Sequence, residues 1–105
     1  MKLSDYVAQK AVENGVKHVF MVTGGGAMHL NHSFGSHKDL ECIFNHHEQA
    51  CAIGAEAYYR QSNRLPIVNV TSGPGGTNTI TGVYGAWVDS IAMLVISGQV
   101  KWETT

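Results

Sequence analysis

Four short apolar runs recur along this chain, separated by longer segments in which apolar residues follow helical spacing. The runs cover residues 18–23, 40–45, 66–71 and 92–97. Continuous apolar runs of this length are typical of strands that are buried on both faces of a parallel sheet. We therefore predict four strands, each followed by a glycine-rich or polar loop.

The segments around these runs predict four helices. The first is capped by Ser4 or Asp5 and ends at Asn14 and Gly15, and the others cover residues 27–35, 47–62 and 77–89. Strands joined through helices pair in parallel with right-handed crossovers. The sequence thus predicts an α/β fold, a parallel sheet of about four strands with helices on both faces.

Composition and charge narrow the class of protein. The chain has 105 residues, 44% of them hydrophobic and 14% charged, and a net charge of -1. This composition fits one folded domain over residues 1–105. The net charge provides no excess of positive charge that would attract nucleic acid. Residues 1–6 lack the apolar core of a signal peptide, and no apolar run approaches the roughly 20 residues of a membrane span, so we expect neither. Cys42 and Cys51 lie in apolar stretches, which favours free thiols and a cytoplasmic protein.

Three loops follow predicted strands and carry the candidate chemistry. They are the glycine turn (residues 24–26), the polar segment 45–48 and the proline turn (residues 72–78). The carboxyl ends of parallel strands lie at one edge of a sheet, where ligands usually bind. We expect the three loops to meet there and to form a crevice.

Glu48 lies in the first turn of the helix over residues 47–62. One interpretation is structural, because a carboxylate at a helix N-terminus contributes about 0.3–1 kcal/mol. The other is a proton-handling acid that shares a proton with a ring nitrogen, since an apolar crevice raises a carboxyl pKa. Local sequence alone leaves both interpretations open.

The proline turn has the sequence Ser-Gly-Pro-Gly-Gly-Thr-Asn. Its glycines permit close approach of a ligand, and amides at the following helix could hold an anion. It lacks the lysine of a P-loop and the spacing of a dinucleotide fingerprint. A plain tight turn and a non-catalytic module that binds small anions both remain open.

Two further patterns also have a structural and a functional interpretation. Ala50, Gly54 and Ala57 share one face of their helix, which favours close packing on the sheet or a contact with a second copy. His29 and His32 share another helix face, but a zinc site needs three or four converging ligands. We predict no metal site in this chain.

Taken together, these motifs resemble the N-terminal, pyrimidine-binding domain of thiamine diphosphate enzymes of the acetolactate synthase type, which has a flavodoxin-like fold. The resemblance runs through nearly the whole chain. Its most specific parts are His-Glu-Gln-Ala at 47–50, Ala-Glu-Ala-Tyr-Tyr-Arg at 55–60, Val-Thr-Ser-Gly-Pro-Gly-Gly-Thr-Asn at 70–78 and Val-Ile-Ser-Gly-Gln-Val at 95–100.

The resemblance implies roles for individual residues. Glu48 corresponds to the catalytic glutamate that hydrogen-bonds N1′ of the cofactor's aminopyrimidine and so activates the cofactor toward a 2-keto acid. Pro74 and Asn78 correspond to residues that line the pyrimidine pocket, and Gly25 and Gly26 to the loop near the reacting carbons. It also implies a homodimer or homotetramer, because each site of the family lies between two subunits.

The chain departs from the family in two respects. It has no Gly-Asp-Gly motif, which in the family holds the diphosphate and magnesium, so we expect residues outside this chain to hold both. We accordingly expect residues 1–105 to be an incomplete domain of a longer enzyme, inactive alone, or a small subunit that pairs with a diphosphate-binding chain. The segment Thr-Gly-Gly-Gly at 23–26 also replaces a proline-containing version that is common in acetolactate synthases, which leaves the substrate open.

Overall fold

A computed structural model describes residues 1–104 of the chain. The four strands are β1 (His18–Met21), β2 (Glu41–Phe44), β3 (Ile67–Val70) and β4 (Leu94–Ser97). They form one sheet in the order β2-β1-β3-β4, and every neighbouring pair is parallel. The predicted α/β fold class is therefore confirmed.

Five helices surround the sheet within the described residues. They are α1 (Leu3–Glu13), α2 (Met28–Ser36), α3 (Glu48–Ser62), α4 (Pro74–Thr77) and α5 (Ile80–Val88). Short 3-10 turns cover Gly25–Ala27 and Trp102–Thr104. The longest helix, α3, has 15 residues, and within residues 1–104 we found no helix with the length and apolarity of a membrane span.

Alternating strand residues divide the core into two layers. On one face α1 and α2 pack against the sheet, and the buried residues of this layer are Ala8, Ala11, Val16, Val19, Met21, Phe34 and Ile67. On the other face α3 packs against the sheet, with Phe20, Cys51, Ala55, Val68 and Val70 buried. Helices thus cover both faces, as predicted. The inner strands β1 and β3 are mostly buried, whereas the edge strands β2 and β4 expose their ends.

The start of α1 differs from the prediction. The N-cap is Lys2, whose side chain makes no capping bond, and neither Ser4 nor Asp5 caps the helix. Both are used in tertiary contacts, because the Ser33 hydroxyl of α2 lies 2.8 Å from Ser4 Oγ and 2.6 Å from Asp5 Oδ1. The Ser33 hydrogen bond lowers the pKa of the Asp5 carboxyl. Packing of α1 on α2 therefore overrides the local capping preference.

The predicted start of the helix over residues 77–89 is also wrong. Helical structure begins earlier, at Pro74, and is interrupted between α4 and α5. At the interruption, the Thr79 hydroxyl donates to the carbonyl of Gly76 at 2.6 Å. This bond tightens the backbone, as side-chain hydroxyls often do at helix starts.

The small residues of α3 serve two surfaces. Gly54 faces the sheet, where an added Cβ would lie 3.6 Å from the Phe20 ring, whereas Ala50 and Ala57 are exposed. Close helix packing within the chain is instead found between α3 and α5, where a Cβ added at Gly82 would lie 2.5 Å from Ala52 Cβ. The glycine at position 82 thus lets α5 approach α3 closely.

Candidate functional site

The loops at the carboxyl edge of the sheet meet, as the sequence predicts. The Gly26 N–H donates to Thr71 Oγ1 at 3.0 Å, which joins the glycine turn to the end of β3. The Ser97 hydroxyl at the end of β4 donates to the Thr71 carbonyl at 3.2 Å. A Cβ at Gly98 would collide with the Gly26 carbonyl. Three strand ends therefore converge within contact distance of one another.

This convergence explains the glycine at position 26. A Cβ there would lie 2.6 Å from Thr71 Oγ1 and 2.8 Å from Ser72 Oγ, which is closer than real contacts allow. At Gly25 an added Cβ would meet nothing within 4 Å, and this residue is exposed to the crevice. The two predicted glycines thus differ: Gly26 permits close packing, and Gly25 presents backbone to solvent.

Glu48 is the first residue of α3 and is half-buried at this edge. Its place is set by His47, the N-cap, whose Nδ1 accepts a hydrogen bond from the Gln49 N–H at 3.0 Å. Capping of this kind satisfies an amide that the helix leaves without a partner. The helix therefore begins with a half-buried carboxylate at this edge of the sheet.

Asn78 is in direct contact with Glu48. Its Nδ2 donates to Glu48 Oε1 at 3.1 Å, across 30 positions of sequence. Asn78 ends α4, a single turn whose entry at Gly73 has φ +64° and ψ -122°. Positive φ is accessible to glycine at little cost, so Gly73 lets the chain reverse sharply after β3. The turn thereby brings the amide of Asn78 to the carboxylate.

Pro74, the other residue predicted to line the pyrimidine pocket, is the first residue of α4 and is exposed. Proline fits this position because it lacks the amide hydrogen that a first helical residue cannot use. Two of the amides that follow are bonded within the turn: Thr77 donates to Gly73 at 3.1 Å and Asn78 to Pro74 at 2.9 Å. These bonds occupy the amides of Thr77 and Asn78, but not those of Gly75 and Gly76 nearer the start of the turn.

A buried thiol lies one turn along α3 from Glu48. Cys51 is fully buried, and its Sγ donates to Asn45 Oδ1 at 3.3 Å. Burial first, and the negative charge of Glu48 second, raise the pKa of Cys51 to about 11. The thiol stays protonated at neutral pH and acts as an apolar side chain beneath the site. Cys42 is half-buried and also free, as predicted.

The sequence interpretation missed two asparagines close to this edge, Asn31 and Asn69. Asn69 is buried in β3 and donates to Asn31 Oδ1 at 2.8 Å. A signal was available, because Asn69 is the one polar side chain among the four residues of β3. Buried amides cost free energy unless they are hydrogen-bonded, so such an interruption marks a functional or structural pair.

Metal-binding groups do not cluster in this part of the molecule. Among residues 1–104, no three His, Cys, Asp or Glu side chains converge in a way that could hold an ion. His29 and His32 are both exposed on α2. The site as described is thus a carboxylate, an amide and closely packed backbone.

Comparison with known proteins gives the family. The whole chain, residues 1–105, matches the family described as thiamine pyrophosphate enzyme, N-terminal TPP binding domain. It is 39% identical over 97 residues to the acetolactate synthase large subunit of Buchnera aphidicola subsp. Acyrthosiphon pisum (strain APS), covering 92% of this chain and 17% of that protein.

Other relatives give the same result. The acetolactate synthase isozyme 3 large subunit of Escherichia coli (strain K12) is 36% identical, again over 92% of this chain and 17% of that protein. Chloroplastic acetolactate synthase of Arabidopsis thaliana is 33% identical over 94% of this chain and 15% of that protein. The chain thus spans a small part of these relatives, and it belongs to the family of thiamine pyrophosphate enzymes through their N-terminal TPP-binding domain.

Proposed function

We propose that this chain is the pyrimidine-activating part of a thiamine diphosphate-dependent enzyme of the acetolactate synthase type, a carboligase or decarboxylase that acts on a 2-keto acid. The observation that carries the proposal is the Glu48–Asn78 pair at the carboxyl edge of the sheet. Support comes from family membership and from the acetolactate synthases to which the chain is similar.

The residues present fit the pyrimidine half of the cofactor. An aminopyrimidine needs an acid beside one ring nitrogen and a neutral surface along the ring. Glu48 supplies the carboxylate, half-buried and hydrogen-bonded at one oxygen. Pro74 supplies an exposed apolar surface on the adjoining turn. Gly25 and Gly26 are proposed to border the reacting carbons from the neighbouring turn.

Each protein group has a distinct task in this proposal. Thiamine diphosphate, when bound, supplies a nucleophilic thiazolium carbon and an electron sink for decarboxylation of the 2-keto acid. Asn78 holds Oε1 of Glu48, so Oε2 is the oxygen left to share a proton with N1′. A positioned carboxyl group of this kind commonly contributes 10²–10⁴-fold to rate through proton transfer.

The diphosphate and magnesium require groups that this sequence lacks, since it contains no Gly-Asp-Gly. We propose that both are held by residues outside this chain. These residues could belong to the same polypeptide or to a separate partner chain. A genomic reading frame that continues beyond residue 105 into a Gly-Asp-Gly motif supports the first arrangement, and a stop codon with a neighbouring gene that encodes the motif supports the second.

Assembly as a homodimer or homotetramer is part of the proposal. Four large apolar side chains with i, i+4, i+7 and i+8 spacing lie exposed on one face of α5: Ile80, Tyr84, Trp87 and Val88. Contiguous exposed apolar surface of this kind favours a protein contact. We also propose a cytoplasmic location, because both cysteines of this chain are free thiols.

Exchange of the C2 proton of bound thiamine diphosphate tests the role of Glu48. In the assembled, magnesium-loaded enzyme, we expect Glu48→Gln to slow this exchange at least about 100-fold and to leave folding intact. Glu56→Gln is the matched control, since Glu56 lies on the same helix but pairs with Arg60 at 2.9 Å. Exchange at the wild-type rate in Glu48→Gln would refute the assignment.

The alternative of an anion-binding module makes the opposite prediction. Phosphate would then bind this chain equally well in the wild type and in Glu48→Gln, because the turn amides would do the binding. The amides of Thr77 and Asn78 already donate within the turn, so an anion would depend on those of Gly75 and Gly76. Isothermal titration calorimetry with inorganic phosphate distinguishes the two functions.

A further inference from the structure

Asn69 is an amide in the most buried strand of the sheet. It is fully buried in β3, where the other strand residues, Ile67, Val68 and Val70, are apolar and equally buried. Its Nδ2 donates to Asn31 Oδ1 of α2 at 2.8 Å. The polar side chain therefore crosses the apolar layer between the sheet and α2 to reach one partner.

Asn31 also forms a hydrogen bond to the glycine turn. Its Nδ2 donates to the carbonyl of Gly24 at 3.2 Å, which is the first residue of that turn. The same turn is held at its other end, because the Gly26 N–H donates to Thr71 Oγ1 at 3.0 Å. Hydrogen bonds thus connect the turn to β3 at two positions, through Asn31 to Asn69 and directly to Thr71, just beyond the strand.

Stability alone does not account for the amide at position 69. Its Oδ1 is buried with no donor within hydrogen-bond distance among the described residues. A buried polar group without a partner costs roughly 1–3 kcal/mol, whereas two apolar residues of similar shape would avoid that cost. A residue that lowers stability in a central strand indicates a role in placing other groups.

We propose that Asn69 and Asn31 are positioning residues that clamp the glycine turn in place at the carboxyl edge of the sheet. The clamp fixes Gly25, which is exposed, together with a depression beside it that Thr23, Met28 and His32 help to line. The consequence for catalysis rests on the proposed function: the fixed turn orients the 2-keto acid and takes no part in proton transfer by Glu48.

Amide hydrogen exchange in the cofactor-free assembled enzyme tests the clamp directly. Asn31→Asp keeps an acceptor for Asn69 Nδ2 but cannot donate to the Gly24 carbonyl. We expect amide exchange at Gly26 and Ala27 to become at least about tenfold faster in this variant, with no change at the start of α3. Unchanged exchange at Gly26 and Ala27 would overturn the proposal.

Ser33→Ala is the matched control on α2. Ser33 is buried in the same helix but bonds Ser4 and Asp5 of α1, so its loss should leave exchange at the glycine turn unchanged. If Ser33→Ala speeds exchange at the turn as much as Asn31→Asp does, the effect is a general loosening of α2 and the clamp is refuted.

A double variant, Asn31→Leu with Asn69→Leu, separates positioning from stability. We expect a melting temperature no lower than that of the wild type, faster exchange at the turn, and at least a tenfold higher KM for the 2-keto acid. C2-proton exchange of bound thiamine diphosphate should stay within about twofold. If the double variant does not fold, the same measurements on Asn31→Asp decide whether the two asparagines position the turn.

The two proposals fail separately. Absence of C2-proton exchange in the wild type would remove the proposed function, while amide exchange at Gly26 and Ala27 would still decide the clamp. Normal C2-proton exchange together with unchanged amide exchange at Gly26 and Ala27 in Asn31→Asp would remove the clamp alone.

Discussion

The two edges of the sheet are built from different interactions. At the carboxyl edge, backbone turns touch one another and are held by uncharged side chains: Thr71 accepts from the Gly26 N–H, and Asn31 donates to the Gly24 carbonyl. At the amino edge, long side chains pair near solvent: His18 Nδ1 lies 2.8 Å from the Tyr58 hydroxyl, and Arg60 lies 2.6 Å from Asp89. The first edge fixes backbone positions, and the second joins side chains that can rearrange.

This difference indicates where substitutions will matter. Exposed ion pairs contribute little to the free energy of unfolding, because water competes for both partners and the flexible side chains lose entropy when they pair. Backbone turns in van der Waals contact cannot accept an added carbon without moving. We therefore expect the carboxyl edge to be sensitive to small changes and the amino edge to tolerate large ones.

The largest expected effect follows from adding one methyl group at the carboxyl edge. Gly26→Ala should lower the free energy of unfolding by about 2–3 kcal/mol, because its Cβ would overlap Thr71 Oγ1 and Ser72 Oγ. Gly25→Ala, one residue earlier, meets nothing within 4 Å and should have almost no effect. Chemical denaturation of both variants checks the contrast, and equal losses would contradict it.

Alkaline pH should weaken the carboxyl edge through its buried thiol. Burial raises the pKa of Cys51 from its ordinary value of 9.0 to about 11. Between these values the unfolded chain loses the thiol proton and the folded chain keeps it, so stability falls as pH rises. We expect a loss on the order of 2 kcal/mol across this window.

Denaturation curves at pH 9 and pH 11 measure that loss. Cys51→Ala should remove most of the pH dependence, whereas Cys42→Ala should retain it, because Cys42 is only half-buried. A Cys51→Ala protein with the full wild-type dependence would show that other groups cause the loss.

A smaller effect is expected from the hydrogen bond at the amino edge. Tyr58→Phe removes the hydroxyl that pairs with His18 but keeps the ring edge-on to Phe20, at 5.7 Å between centroids. We expect a loss of about 1 kcal/mol in the free energy of unfolding. C2-proton exchange of bound thiamine diphosphate should be unchanged, and a tenfold fall in that rate would contradict the separation of the two edges.

The smallest effect is expected for Arg60→Gln. Arg60 pairs with Glu56 and Asp89, but these side chains are largely exposed or border solvent. Thermal denaturation at low and high salt should show a small loss that disappears as salt screens the charges. A loss larger than that of Tyr58→Phe would reverse the expected order.

The sequence located the elements well where local patterns and tertiary packing agree. The apolar runs at Val19 and Val68 lie in buried strands, and the Ala-rich segment after His47 is a helix. It failed where tertiary contacts compete for a side chain. Ser4 bonds Ser33 and does not cap α1, and Thr79 bonds Gly76 and so divides a predicted helix.

The sequence by itself determined the order of strands and helices, and with it the edge at which the loops after β1, β2 and β3 would meet. It also identified Glu48 as the carboxylate of that edge. Only the tertiary structure decided which side chains touch: Asn78 with Glu48, Thr71 with Gly26, and Asn69 with Asn31. The reason is physical, since periodic patterns record burial along one element, whereas these contacts join positions 30 to 45 residues apart and depend on how the layers pack.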